Sequence, residues 1–306
     1  MNIKKDQLLI SLKGFAMGMA DIVPGVSGGT VALITGIYNE LIKTISSFNK
    51  DAVTLLLKFQ IRDFLKHMNA PFIVPLFIGI ILAILSMSRL MHFLMSEYAV
   101  YTWSLFFGLI IASIFFVARL IPNFKSPANF VSMLAGVGVG YAVVSLIPVH
   151  TPDTPWMFFL SGAIAICAMI LPGISGSFIL LILGKYLTVT SALKNPFADE
   201  NLLMIAVFCL GCFIGLISFS KFLNYVLENF YGKTMSLLTG FMIGSLKKIW
   251  PWREVIEQKI IRGKTHVLRD QLILPAEANL ELFLAVACMI IGAILILSLE
   301  RAGSKN

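Results

Sequence analysis

The stretch Gly14 to Tyr38, GFAMGMADIVPGVSGGTVALITGIY, returns 148 positions later as Gly162 to Tyr186, GAIAICAMILPGISGSFILLILGKY. Stacked without a gap, the two share Gly14/Gly162, Ala20/Ala168, Ile22/Ile170, Pro24/Pro172, Gly25/Gly173, Ser27/Ser175, Gly28/Gly176, Leu33/Leu181, Ile34/Ile182, Gly36/Gly184 and Tyr38/Tyr186. Each copy breaks an apolar run with Pro-Gly. Proline lacks the N–H a helix needs, and glycine gains too much freedom outside one. A helix break inside lipid leaves backbone groups unpaired unless it is buried in protein or lines a cavity. Matched breaks in two halves of a membrane chain therefore point to a transporter-like binding site.

Composition requires the membrane. Apolar residues make up 58% of the 306 and charged residues 13%, with a mean hydropathy of +0.88. Soluble domains sit near ~45–50% apolar and ~25% charged. One integral membrane domain over 1–306 is expected, with no nucleic-acid partner. The four cysteines, Cys167, Cys209, Cys212 and Cys288, all lie in apolar segments. Cys209 and Cys212 form a C-x-x-C without His or acid nearby, so they read as small packing residues. The four histidines are scattered. No metal and no cofactor are expected. Lys4, Lys5 and Lys13 precede an apolar run as in a signal peptide, but cleavage there would remove the first motif, so retention is expected.

Six spans of the length a bilayer requires stand out: Pro71–Leu94, Tyr101–Leu120, Phe130–Val149, Leu203–Leu227, Thr234–Trp250 and Leu282–Leu299. The repeat continues through them at an offset of 132. Gly79 matches Gly211, Ser88 matches Ser220, Arg89 matches Lys221, and SLFFGLIIAS from Ser104 matches SLLTGFMIGS from Ser236. The expected fold is an all-α polytopic membrane protein. It has two inverted repeats, 11–149 and 159–299, each a broken re-entrant helical segment plus three transmembrane helices.

An odd number of crossings per half requires the inversion. Basic residues partly support it. Lys43, Lys50, Lys58, Arg62 and Lys66 place the first loop on the cytoplasmic side with the N-terminus. The stretch Lys247–Glu281, with seven Lys or Arg against five acids, fits less well, because inversion puts it outside. A second segment that spans fully would put it inside, and both readings stand. Val53–Lys66 alternates basic and apolar residues as a helix on an anionic lipid surface does, or as a solvated linker does. The Gly-x-x-x-Gly pairs Gly136/Gly140, Gly211/Gly215 and Gly240/Gly244 read as helix-packing faces.

The candidate site follows from the breaks. After each Pro-Gly a new half-helix starts, near Ser27 and near Ser175. Its first N–H groups have no intrahelical partner and carry partial positive charge. Pro24, Gly25, Ser27, Gly28, Gly29 and Thr30, with Pro172, Gly173, Ser175, Gly176 and Ser177, would let a phosphate or carboxylate approach the backbone and meet hydroxyl donors. A buried structural kink is the alternative. Arg89 and Lys221 sit at equivalent positions, either drawing an anionic head group or snorkelling to the interface. Asp21 has Met169 as its counterpart. It either carries a coupling proton or caps the broken backbone. His92, one turn from Arg89, either titrates or packs.

The two motifs, their order and their spacing resemble a bacterial membrane-protein family, long classed as a domain of unknown function, now assigned as PopT-type polyprenyl-phosphate transporters. The resemblance covers essentially the whole chain. It implies translocation of undecaprenyl phosphate, the lipid carrier of cell-envelope synthesis, across the cytoplasmic membrane for reuse. The expected partners are the polyprenyl-phosphate lipid and anionic membrane lipids. The expected motion is a rocking of the halves that exposes the head group to each leaflet in turn. Undecaprenyl-pyrophosphate phosphatases, also duplicated, carry a similar PG-x-SRS element. Here Gly28 and Gly176 replace its arginine and no paired glutamates lie in the apolar segments, so a non-enzyme is expected. A transporter of small organic anions is the other alternative.

Overall fold

The computed structural model describes residues 3–22, 26–146, 148–149, 151–198, 201–261, 264–275 and 279–303. The first half comprises α1 (Ile3–Ile22), α2 (Gly28–Ile34), α3 (Tyr38–Ser46), α4 (Lys50–Leu57), α5 (Ile61–His67), α6 (Ala70–Glu97), α7 (Ala99–Arg119) and α8 (Pro127–Val144). The second comprises α9 (Pro155–Ile170), α10 (Gly176–Ile182), α11 (Tyr186–Lys194), α12 (Asn201–Asn229) and α13 (Tyr231–Ser245). A 3-10 turn (Leu246–Ile249), strands β1 (Arg253–Ile261) and β2 (Lys264–Leu272), and α14 (Leu280–Gly303) complete it. Helices α6, α7, α8, α12 and α14 are long and apolar enough to cross a membrane. At 28 residues, α6 is about 42 Å long at 1.5 Å per residue, which exceeds the ~30 Å hydrocarbon core. The expected Thr234–Trp250 span is a 15-residue helix that tightens into the 3-10 turn.

Both broken segments enter and return. In the first, the α2 amide of Gly28 donates to Asp21 near the end of α1, while Lys13, in the middle of α1, donates to the carbonyl of Thr35 that closes α2. Two bonds at opposite ends of α2 fix it antiparallel to α1. In the second, Val149 N–H donates to Ile182 O and Thr151 Oγ1 to Leu183 O, so α10 ends level with the residues that lead into α9. The following α11 is bent 117° from α10. The turns that follow, from α2 to α3 and from α10 to α11, use Gly36 at φ +73° and Gly184 at φ +68°, a region only glycine enters freely. This resolves the second segment as re-entrant rather than spanning.

Helix packing is reciprocal. α1 lies along α6 and α9 along α12. The third span of each half pairs with the second span of the other, α8 with α13 and α14 with α7. The seams are built at matched positions. Gly14 abuts Leu76 O as Gly162 abuts Phe208 O, and Gly79 abuts Ser11 O as Gly211 abuts Phe159 O. Gly108 meets Met289 O as Gly240 meets Met133 O, and Gly292 meets Leu105 O as Gly136 meets Leu237 O. Thr102 donates to Leu94 O and Tyr98 O, and Thr234 to Val226 O and Phe230 O. Lipid supplies no hydrophobic drive between helices, so close backbone approach at small residues is what holds them.

Between the helices, residues 253–272 form an antiparallel hairpin, whose register closes on Ile261 opposite Lys264. One expectation is corrected. Val53–Lys66 is two short helices, not one. The break comes at Phe59, which has φ +55° and is exposed.

Candidate functional site

At the first element, Pro24 and Gly25 lie outside the described residues. Ser27, extended at φ −124° and ψ 133°, is the N-cap of α2. Its Oγ accepts from Gly29 N–H at 3.1 Å, its carbonyl accepts from Thr30 N–H at 3.0 Å, and Asp21 Oδ1 accepts from Gly28 N–H at 2.7 Å. A carboxylate at a helix N-terminus is favourable for the same reason a bound anion is. The first three donors of α2 are therefore all engaged, and the bond that a capping Asp21 requires is made. A Cβ on Gly28 would come within 2.5 Å of Asp21 Oδ2. Gly28 is small because the carboxylate sits there.

The second element meets the first directly. α9 ends in the open, leaving carbonyls without helical partners. Ser27 Oγ donates to Met169 O (3.2 Å) or Leu171 O (3.1 Å), and Tyr38 OH to Ile170 O at 3.2 Å. In return Gly173 N–H donates to Thr30 Oγ1 at 3.1 Å. Gly173, at φ +87°, packs against Ser245 and Met242. Gly29 is pressed to Ile170 O, which a Cβ would approach at 2.5 Å. Ser27, Thr30 and Ser175 are buried. Pro172 is also buried.

The elements differ where Asp21 faces Met169 by sequence. Ser175 is the N-cap of α10, yet its side chain makes no capping bond. It shares a 2.7 Å hydrogen bond with Ser177 Oγ instead. Among the described residues, no side chain caps the first turn of α10. Gly176 packs on Ala165 O, which a Cβ would approach at 2.7 Å.

Two apolar cavities flank the junction. One, about 740 Å3, lies between α1, α2, α6, α7 and α14 and reaches Val26 and Val31. The other, about 390 Å3, is lined by Asp21, Gly29, Met169 and Ile170 at one end and by Leu41, Phe77 and Phe213 elsewhere. Arg89 on α6 and Lys221 on α12 are exposed, and neither bonds to either element among the described residues. The side chain of His92 lies outside what is described. The structure thus brings Asp21, Ser27, Gly28, Gly29, Thr30 and Gly173 together, with Ser175, Gly176 and Ser177 following at the start of α10, and leaves Arg89 and Lys221 apart.

Sequence reasoning passed over Lys185. It is fully buried, donating to Thr151 O at 2.8 Å and Pro152 O at 2.7 Å, pairing with Asp153, and lying 4.8 Å over the Phe158 ring. A buried ammonium is tolerable only when so satisfied. It ties the α10–α11 turn to the approach to α9. Its signal was a lone charge in an apolar run, at a position where the first copy has Ile37.

The family model for VCA0040-like, undecaprenyl phosphate translocase-like proteins matches residues 17–266. A polyprenyl-phosphate transporter of Vibrio cholerae serotype O1 is 38% identical over 301 residues, 96% of each chain. A polyprenyl-phosphate transporter of Staphylococcus aureus is 33% identical over 257 residues, 78% of this chain and 85% of that one. No solved structure matches.

Proposed function

The chain belongs to the undecaprenyl phosphate translocase-like family, and on that premise we propose that it carries undecaprenyl phosphate across the bacterial cytoplasmic membrane, returning the carrier for envelope synthesis. It is a multi-pass bacterial membrane protein. The observation that carries the mechanism is the junction of two re-entrant elements beside apolar cavities. The head-group phosphate binds at the Pro-Gly-x-Ser-Gly elements, Pro24 to Thr30 and Pro172 to Ser177, and the prenyl tail lies along the 740 Å3 groove. Binding is an exchange. The hydroxyls of Ser27 and Thr30 now serve the opposite element, while Ser175, Gly176 and Ser177 have the less committed donors. The second element therefore receives the phosphate first.

The repeats 11–149 and 159–299 are inverted about this junction; matched contacts at matched glycines support that reading. Because α7–α14 and α8–α13 cross between the halves, the units that move are the re-entrant hairpins with α6 and α12, against those two pairs. Arg89 and Lys221, exposed at equivalent positions, draw the head group from each leaflet. Moving one negative charge against the membrane potential is worth about 2.3 kcal/mol per 100 mV, and a proton taken up with the lipid, at Asp21 or His92, would offset it. The basic face of α4 and α5 rests on anionic lipid. Hydrolysis is disfavoured, because neither element carries the arginine or paired glutamates that phosphoryl transfer would use.

A leaflet-resolved assay in vesicles containing only this protein tests the reading. Undecaprenyl phosphate added to one leaflet should appear in the other at a protein-dependent rate, with its phosphate intact. Release of inorganic phosphate would favour the enzyme. Equal movement with and without protein would overturn transport.

A further inference from the structure

The offset between the repeats falls from 148 at Tyr38 to 132 at Gly79, so the first half carries 16 extra residues between them. The excess corresponds to α4 and α5, which have no counterpart between α11 and α12. α5 is held in place. Phe59 at φ +55° and Asn69 at φ +46° bracket it. His67 Nε2 donates to Ser47 O at 2.9 Å, and Asn69 Nδ2 donates to Glu40 Oε1 at 3.0 Å. So placed, α5 closes one side of a groove of about 760 Å3, whose other walls are α1 and α6. Leu8, Leu65, Val74 and Ile78 give it an apolar lining, and all four are exposed, so the groove opens to the bilayer. Arg62 and Lys66 line it from α5, four residues apart and hence on one helix face. Among the described residues neither makes a hydrogen bond or an ion pair. The acids of α1 and α5, Asp6 and Asp63, are exposed and do not line the groove. Met1 to Lys5, at the start of the chain, include no acid.

Depth and sidedness narrow the occupant. The basic first loop belongs to the cytoplasmic side. Leu57, Phe59 and Ile61 are exposed around the α4–α5 break. Apolar side chains of interfacial helices dip into the boundary of head groups and acyl chains, which sets Arg62 and Lys66 at the level of the phosphates. Ser11, which also lines the groove, lies ten residues before Asp21 on α1, about 15 Å along the helix. A phosphate held by α5 is therefore separate from the junction of the broken elements. The second half is built differently at the matched place. Trp156 and Phe159 stand where the first half has Leu8 and Ser11, and their rings stack with centroids 5.6 Å apart. The two ends of the duplicated scaffold thus differ as two leaflets do: cations lie at the cytoplasmic surface, whose potential is negative, and aromatic rings at the other.

We infer that this groove seats one anionic diacyl phospholipid of the cytoplasmic leaflet, with its phosphate between Arg62 and Lys66 and an acyl chain along Leu8, Val74 and Ile78. The lipid joins α5 to the seam of α1 and α6, where Ser11 Oγ donates to Pro75 O at 2.9 Å. The site depends on the cytoplasmic placement of α5 and not on which lipid is carried. The purified full chain is melted in neutral detergent while phosphatidylglycerol, or phosphatidylcholine with the same acyl chains, is titrated in. Phosphatidylglycerol should raise the melting temperature to a plateau, and phosphatidylcholine should not. Arg62→Gln/Lys66→Gln should need about tenfold or more phosphatidylglycerol for half of that rise. Arg62→Lys/Lys66→Arg should need close to the wild-type amount. Lys43→Gln/Lys50→Gln, which removes the same charge from the same loop outside the groove, should respond as the wild type does. Val74→Trp, which fills the groove and keeps both cations, should weaken the response. An undiminished response in Arg62→Gln/Lys66→Gln, or an equal loss in Lys43→Gln/Lys50→Gln, would overturn the site. Undecaprenyl phosphate that displaces phosphatidylglycerol at equal concentration would also overturn it, by giving the groove to the carried lipid. The leaflet-resolved transport assay is read separately, so either result can fail without the other.

Discussion

The two re-entrant elements share eleven of twenty-five residues, yet they use their polar groups differently. In the first, Asp21 and Ser27 occupy the donors of α2, and Ser27, Thr30 and Tyr38 reach across to serve the second. In the second, Ser175 and Ser177 bond to each other, and a buried lysine anchors the far end of α10 to the chain before α9. Duplication preserved the backbone path, which Pro and Gly dictate. It left the side chains free to differ: the first element braces the second, and in the proposed mechanism the second receives the head group. A single residue, Asp21 opposite Met169, is enough to begin that division.

The widest test of this comparison is topological. In a background without the four native cysteines, Asp6→Cys and Lys50→Cys should react with an impermeant reagent from the cytoplasmic side, and Pro152→Cys and Asn195→Cys only from the other. All four on one side would refute the inversion.

Glycine replacement should come next in size. Gly28→Leu would drive a side chain into the Asp21 carboxylate, and Gly176→Leu into the Ala165 carbonyl. Each should reduce transport a hundredfold or more. Normal transport by either variant, at normal membrane abundance, would show that the elements tolerate separation.

The serines sharpen the division of labour. Ser27→Ala removes a cap and should cost about 1 kcal/mol of stability, read as a lowered melting temperature in detergent, with transport falling in proportion. Ser175→Ala removes no cap and should leave melting unchanged while weakening lipid binding about tenfold. The reverse pattern would exchange the roles assigned to the two elements.

Asp21→Asn should do less, because asparagine caps nearly as well as aspartate. Transport within about twofold of wild type, and still responsive to a pH gradient, is expected; loss of that response would make Asp21 the proton carrier. The smallest effects belong to Arg89→Gln and Lys221→Gln, which should each weaken head-group binding severalfold, with Lys221→Arg milder. No change in binding would leave these side chains only snorkelling.

Much of this was legible in the sequence because lipid is a demanding solvent. Each span needs about twenty apolar residues, and a break at membrane depth needs Pro, Gly and a hydroxyl, so both features are visible by inspection. The Gly-x-x-x-Gly pairs were legible as seams, and Gly136/Gly140 do pack on Gly240/Gly244. What escaped were partners chosen by tertiary contact. Nothing local tells that Ser27 serves the end of α9, or that Asp153 awaits Lys185. The hairpin escaped for another reason: residues 253–272 lie between two expected spans, where the sequence was read for its charge and not for strand pairing.

The exchange of third helices has a consequence for how the protein is made. α7 and α8 are complete long before the ribosome reaches α13 and α14, which are their packing partners. Until then the backbone grooves at Gly108 and Gly136 face acyl chains, and the first half has no closed interior of its own. Neither half matures first. Both are sealed together when Gly292 settles against Leu105, so closure of the first half waits on a helix of the second, α14.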